Sequence, residues 1–430
     1  PHLYISTHYT SKKLSLIYNF LLFIFHPIIR IHLNHRLKIG KEDPERFHER
    51  LGHNKIPRPK GKLIWFHAVS VGEAMSVLPL IDKFSKNQNI SILITSTTRT
   101  SAKIIAKRIG KNVLHQYIPF DFKYAVQRFL KFYKPDLAIF VESELWPNLI
   151  LETAHRKTQM ILLNARISDK NAVKNFFYKF FARRLLHKFS FILPQNKLDQ
   201  QRIAEMKLGN IKYIGNLKID APALAADANK LKDLKQQFKG REIFLAVSTH
   251  PGEEEKICQM HKALITSHPN LLTIIIPRHA QRGAELLKYF RSQLMIKSIS
   301  RTSKEKITKD TDIYLADTMG ELGLFFCLSK IALIGGSLVK HGGHNPIEAI
   351  KLGCVALSGP YIHNFRNLYD SLEQKNAVIK TNDLFNLEIA INKLLTDKKY
   401  YSQIQNNGAK YCKSHQGILN KTHKFIIELL

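Results

Sequence analysis

Residues 63–80 read LIWFHAVSVGEAMSVLPL, and the fold follows from this stretch. Its first part, 63–69, is apolar and aromatic without helical spacing, the pattern of a strand buried on both faces of a parallel sheet. Its last part, 74–81, carries apolar residues at helical intervals. Between them, Ser70-Val71-Gly72-Glu73 makes a tight strand-to-helix turn. Such turns lie at the carboxyl ends of strands in doubly wound sheets, where ligands bind. Glu73 therefore stands on the first turn of a helix at the mouth of an expected cleft. Two roles are open to it: complement to the helix dipole, or acid–base catalyst. The dipole is expected to keep it ionised and to make it a weaker base.

Outward from this stretch the same alternation repeats. Strands are expected at 91–95, 113–118, 137–141, 160–163 and 191–193, with helices between them, including a basic-aromatic one over 172–189. A composition shift at the charged, Ala- and Lys-rich segment 221–239 marks a domain boundary. A second alternation follows, with strands at 243–247, 271–276, 313–315, 331–334 and 355–357 and terminal helices over 393–430. This succession predicts two α/β domains, each a parallel sheet covered by helices on both faces. The expected division is 1–40 for a tail and anchor, 41–220 for an acceptor domain, and 221–430 for a nucleotide-sugar domain with the terminal helices.

The 430 residues are enough for two cores, since single cores stop growing beyond roughly 250–300 residues. The four cysteines, Cys258, Cys327, Cys354 and Cys412, show no metal or disulfide spacing and fit a reducing compartment. The net charge of +32 is diffuse rather than clustered and suits a polyanionic partner, nucleic acid or an anionic membrane. The lack of an initiator Met at residue 1 reads as a trimmed or incomplete N-terminus. Residues 14–31, LSLIYNFLLFIFHPIIRI, are the most apolar run. With Arg30, His32, His35, Arg36 and Lys38 following, they read as an uncleaved membrane anchor whose basic side is cytoplasmic. A buried core helix is the competing reading.

Several strand ends carry chemistry. Glu142 follows strand 137–141 directly, and Glu144 stands two residues on, before Pro147 opens a helix. These carboxylates either divide acid and base roles or pair with Arg166 or Arg99. Lys218 is a cation beside the expected cleft, or else a solvated linker residue. In the second domain, 248–255 (STHPGEEE), 274–279 (IIIPRH), 317–321 (DTMGE), 335–337 (GGS) and 341–348 (HGGHNPIE) supply hydroxyls, a cation, glycines and helix starts fit for a phosphate. Glu348 can accept from ribose hydroxyls. His341 and His344, with no third partner nearby in sequence, read as hydrogen-bonding residues rather than metal ligands.

The apolar N-terminus with FHERLG, then HAVSVGE, ESELWPN, NARIS, GNLKID, PRH, DTMGELG and GGHNPIE, stand in an order that closely resembles the 3-deoxy-D-manno-oct-2-ulosonic acid (Kdo) transferases of lipopolysaccharide assembly. The resemblance covers the chain from about residue 14 onward. It implies a GT-B glycosyltransferase, two Rossmann-like domains facing a cleft, anchored to the cytoplasmic face of the inner membrane. It implies transfer of Kdo from CMP-Kdo to the lipid A precursor lipid IVA, with inversion and with neither cofactor nor metal. By the same resemblance Glu73 is the general base, and Glu142 and Lys218 stabilise the transition state. Pro277, Arg278, Met319, Gly320, Glu321, Asn345, Pro346, Ile347 and Glu348 bind CMP. The implied partners are CMP-Kdo, lipid IVA and membrane phospholipid, and not nucleic acid. A GT-B enzyme using a UDP-sugar is the nearest alternative, and a basic nucleic-acid binder the more distant one. The cleft-facing acid and nucleotide cradle argue against the latter.

Overall fold

The strand over 62–67 shows how the first sheet is held. Leu63 and Trp65 point into one apolar cluster, while Ile64 and Phe66 point into another on the opposite face. Side chains alternate across a strand, so an unbroken apolar run supplies both sides of a sheet that is covered twice. The computed structural model describes residues 16–110, 112–167, 176–303 and 305–430.

The chain divides into two units: one runs to Ala221 and also contains Gly417–Leu430, and the other spans Pro222–Gln416. The first holds six strands, β1 (Lys62–His67), β2 (Ile90–Ser96), β3 (Val113–Tyr117), β4 (Leu137–Val141), β5 (Gln159–Ala165) and β6 (Phe191–Pro194). Their order is β3-β2-β1-β4-β5-β6, and every pairing is parallel. The direction of winding reverses between β1 and β4, so the loops after these two strands part and leave a crevice. The second unit has seven parallel strands, β7 (Glu242–Thr249), β8 (Leu271–Pro277), β9 (Ser298–Ser300), β10 (Ile313–Leu315), β11 (Ile331–Ile334), β12 (Val355–Ser358) and β13 (Ile379–Lys380). Their order is β13-β12-β11-β7-β8-β10-β9, which puts the reversal between β7 and β11. The edge strands β9 and β13 were not expected; at three and two residues they are too short to show a pattern.

Two expectations are corrected. The last helix, Ile418–Ile427, belongs to the first unit, not the second: Ile418, Phe425 and Ile426 are buried among Phe66, Ile81 and Phe84. The N-terminal apolar run is not one straight span. Among the described residues no single helix is long and apolar enough to cross a membrane. Helices Leu16–Ile24 and His26–Lys38 meet at a 62° bend and pass that test only as a pair. Pro27, at the start of the second helix, has no N–H to carry the ladder across the joint. The tail and the first residues of the apolar run, 1–15, lie outside the described residues, as do 168–175, where the helix expected over 172–189 begins. Its described part is Phe176–Leu186.

Candidate active site

In the first unit, the turn after β1 leads into the helix Val71–Phe84. Ser70 is its N-cap, with a hydroxyl oxygen that accepts from the Glu73 N–H at 3.2 Å. The Glu73 carboxylate reaches back and accepts from the Val69 N–H at 2.7 Å and the Ser70 hydroxyl at 2.9 Å. This is reciprocal capping, shifted by one residue from the usual box. Glu73 thus fills the helix-capping role, yet its electrostatics are not those of a cap. It is only 8% exposed. Burial, followed by the charges of Glu142 and Glu144, pushes its carboxyl up to about 7 against the two hydrogen bonds. The expectation of a weak, ionised base is corrected: burial and like charge raise its proton affinity against its two hydrogen bonds.

The neighbouring carboxylates come from the loop after β4, across the crevice. Glu142 takes the left-handed backbone region, φ 62°, a conformation that costs a non-glycine residue about 1 kcal/mol or more. Its carboxylate is ion-paired with the Lys218 ammonium. Glu144 accepts from the Trp146 indole N–H at 2.7 Å. Burial raises its pKa, the Trp146 bond opposes that, and Glu142 adds to the rise. The two acids that sequence proximity could not tell apart therefore differ: one is neutralised by a cation, the other is held by an indole.

Lys218 is not a solvated linker residue. It lies on the short helix Leu217–Asp220, where Asn216 accepts the Lys218 N–H at 2.9 Å and the buried Asn164 accepts the Leu217 N–H at 3.2 Å. Asp220 in turn accepts the Leu419 N–H at 2.7 Å from the last helix. Gly215, at φ 127°, lets that helix approach, since a Cβ there would stand 2.5 Å from Ile418 Cδ1. The C-terminal helix therefore helps to place Lys218. The arrangement offers a buried carboxyl poised near neutrality, with a neighbouring acid, Glu142, that holds an ammonium, a setting for proton abstraction with charge stabilisation.

In the second unit, the residues expected to bind CMP sit beyond the carboxyl ends of β8, β10 and β11. Pro277 ends β8 and Arg278 follows, exposed, with its N–H donating to Thr249 O at 3.0 Å. Met319 and Gly320 lie exposed in the loop after β10. Glu321 is engaged within the protein: Lys230 at 2.7 Å, Arg301 at 3.1 Å and the Thr318 hydroxyl at 2.6 Å. Burial alone would raise its pKa, but these partners outweigh it and draw the carboxyl down to about 2. Asn345 accepts the Ile347 N–H at 3.1 Å, and Pro346 caps the five-residue helix Ile347–Lys351, which carries Glu348 in its first turn.

The glycine-rich turn after β11 holds an unexpected occupant. Glu253, fully buried, accepts from the N–H groups of Gly336 at 2.7 Å, Ser337 at 3.0 Å and Leu338 at 2.8 Å, and from His250 at 2.8 Å. Amides expected to approach a phosphate are thus taken by the protein's own carboxylate, which ties the β7 loop to the β11 loop. Sequence reading also missed His250. Its Nε2 lies 2.9 Å from His344 Nε2, and its ring stacks on His341 at 3.6 Å. Burial, then the cations and imidazoles around them, pushes both His250 and His344 down to about 4. His250-Pro251-Gly252-Glu253 repeats the Gly-Glu turn of residues 70–73, which marks a strand-end loop but names no partner for His250.

Residues 45–221 match the family model described as 3-deoxy-D-manno-octulosonic-acid transferase (kdotransferase). The chain is 34% identical over 378 residues to the 3-deoxy-D-manno-octulosonic acid transferase of Haemophilus influenzae, covering 86% of this chain and 87% of that protein. It is 34% identical over 412 residues to the enzyme of the same name from Rickettsia bellii, covering 94% and 97%. Among solved structures, the UDP-GlcNAc 2-epimerase of Neisseria meningitidis bound to UDP-GlcNAc superimposes with a TM-score of 0.58 at 15% identity, over 85% of this chain and 98% of that one. At that identity the likeness shows the shared GT-B-like fold alone.

Proposed function

Since the chain belongs to the 3-deoxy-D-manno-octulosonic acid transferases of lipopolysaccharide biosynthesis, we propose that it moves Kdo from CMP-Kdo onto lipid IVA. The transfer is a single inverting displacement without metal, and Glu73 is its base. The observation that carries this reading is the Glu73 carboxyl, buried at the switch point of the first sheet and poised at about 7. A base is most effective when its pKa lies near the working pH.

In the reaction, Glu73 takes the proton of the acceptor's primary hydroxyl as that oxygen bonds to C2 of Kdo. The bond from C2 to the CMP phosphate oxygen breaks, and its electron pair leaves with CMP. Lys218, held by Glu142, lends positive charge to the transition state. Arg278 is suited to offset the phosphate, and the 341–348 loop to hold the nucleotide.

The same reading places the N-terminal helices against the inner membrane, with the catalytic body on the cytoplasmic side. Leu16, Ile17, Phe20, Phe23, Ile28 and Ile31 are all exposed, and exposed apolar side chains in such number mark a membrane or partner contact. The polar side of the first helix is tied to the body: the Tyr18 hydroxyl donates to Asp121 at 3.0 Å, and Asn19 bonds Asn148.

Turnover of CMP-Kdo with lipid IVA in detergent, resolved by mass, tests the reading. Wild type is expected to add Kdo, with the mass ladder giving the number of sugars, and Glu73→Gln to lose transfer while still binding CMP-Kdo. Full activity in Glu73→Gln would return Glu73 to capping alone. Turnover of a UDP-sugar in place of CMP-Kdo would overturn the donor.

A further inference from the structure

The loop after β11 returns on itself at His341-Gly342-Gly343-His344. The N–H groups of Gly342 and Gly343 both donate to Gly336 O, at 3.1 and 2.8 Å. Gly342 and Gly343 take φ values of 108° and 73°, which side chains with a Cβ resist. Asn364 Nδ2 donates to His341 O at 3.0 Å and the Tyr369 hydroxyl donates to His344 O at 3.1 Å, so the backbone of both histidines is fixed. His250 arrives from the other side of the switch point. The ligating nitrogens of His250, His341 and His344 all lie within 4.8 Å of one another, and among the described residues no other three His, Cys, Asp or Glu are so grouped. The floor beneath them is Gly336: a Cβ there would lie 3.2 to 3.4 Å from the Cδ2 atoms of all three rings.

We propose that His250, His341 and His344 form a three-imidazole binding site for a divalent ion of the zinc class. Three imidazoles at about 2.0–2.1 Å from such an ion stand roughly 3.4 Å apart; the His250 ring is stacked on both His341 and His344, so binding requires the rings to turn until their lone pairs converge on one ion. Imidazole nitrogen suits zinc, cobalt and nickel, not magnesium or calcium, which take oxygen. The fourth position is left open, and with Arg278, His279 and Arg282 near the cluster it favours an anionic fourth ligand. The inference does not rest on the proposed transfer, which uses no metal.

The test is Co2+ titration of the tag-free full chain, read by visible absorption, with Zn2+ as competitor. The expected result is one Co2+ bound per chain with the intense bands of four-coordinate cobalt, displaced by Zn2+. His341→Ala changes an exposed ring and leaves the core intact. It should weaken Co2+ binding about tenfold or more, and Gly336→Ala should weaken it by spreading the rings. His279→Ala should bind as wild type does. The chain has 20 histidines, so the comparison between variants is what counts. Equal Co2+ binding in wild type and His341→Ala, or only the weak spectrum of six-coordinate cobalt, would overturn the site whatever the transfer assay shows.

Discussion

Glu73 and Glu253 occupy equivalent places. Each follows the first strand of its sheet, each stands after a glycine in the opening turn of a helix, and each reaches back to a main-chain N–H. They end in different chemistry because of what the strand across the switch point delivers. Next to Glu73, which burial already makes a weaker acid, β4 brings two more carboxylates, and together they raise its proton affinity to about 7. Next to Glu253, β11 brings three backbone N–H groups, and the carboxylate becomes a fixed joint between two loops. Burial raises the proton affinity of both acids, but at Glu253 the backbone donors oppose it, whereas at Glu73 the neighbouring carboxylates add to it. The local turn sets where a side chain starts, and the neighbouring loop sets what it can do.

The sharpest way to break this comparison is to neutralise each acid. Glu73→Gln keeps an acceptor for Val69 and is expected to lower the rate of Kdo transfer by about 10²–10⁴-fold, with the urea midpoint unchanged or raised at pH 8. Glu253→Ala orphans four buried amides and is expected to cost about 3 kcal/mol or more of stability, measured by equilibrium urea unfolding. If Glu253→Ala were as stable as wild type, the joint would not be one.

A pH series sharpens the contrast. The folded pKa of Glu73, about 7, lies above its ordinary value of 4.5. Between these values the folded state holds a proton that the unfolded state has lost, so stability falls as pH rises through that window and levels off above it. The limit of the effect is about 3 kcal/mol. With Glu73 as the proposed base, transfer would need its ionised carboxylate, so the rate should climb over the same range and flatten above about pH 7. Activity and stability are thus expected to run in opposite directions, and Glu73→Gln to flatten the stability curve in this window.

The smallest effect concerns Lys218, the cation paired with Glu142. Gly215→Ala would press on Ile418 and strain a positive-φ residue, at about 1–3 kcal/mol. By loosening the segment that carries Lys218, it should also lower kcat more than it changes KM for CMP-Kdo, which steady-state kinetics would read.

Much of this was legible beforehand. Unbroken apolar runs such as 63–66 and 137–141 announce parallel strands, and the strand-end positions of Glu73, Glu142 and Arg278 follow from counting along the chain. Less legible were contacts between distant segments. Nothing local in His250-Pro251-Gly252-Glu253 says that its acid will be met by the amides of 336–338, or that His250 will complete a group with His341 and His344. The short strands β9 and β13 have too few residues to show a period. The bend after Ile24 was foreshadowed by Pro27, yet the apolar run read as one anchor because composition averages over a kink.

By itself the sequence determined the alternation of strands and helices, the two Rossmann-like units, and which acids and cations stand at strand ends. These are properties of periodicity and turn chemistry within a few residues, where the burial of each strand on both faces leaves a direct imprint. Only the tertiary structure decided the order of strands, and through it the partners: Glu142 and Glu144 beside Glu73, Lys218 on Glu142, backbone amides on Glu253, and the last helix beneath Gly215. Those depend on which loops the sheet order brings together, and a carboxylate's proton affinity is set by burial and by the charges within a few ångströms, wherever in the chain they come from.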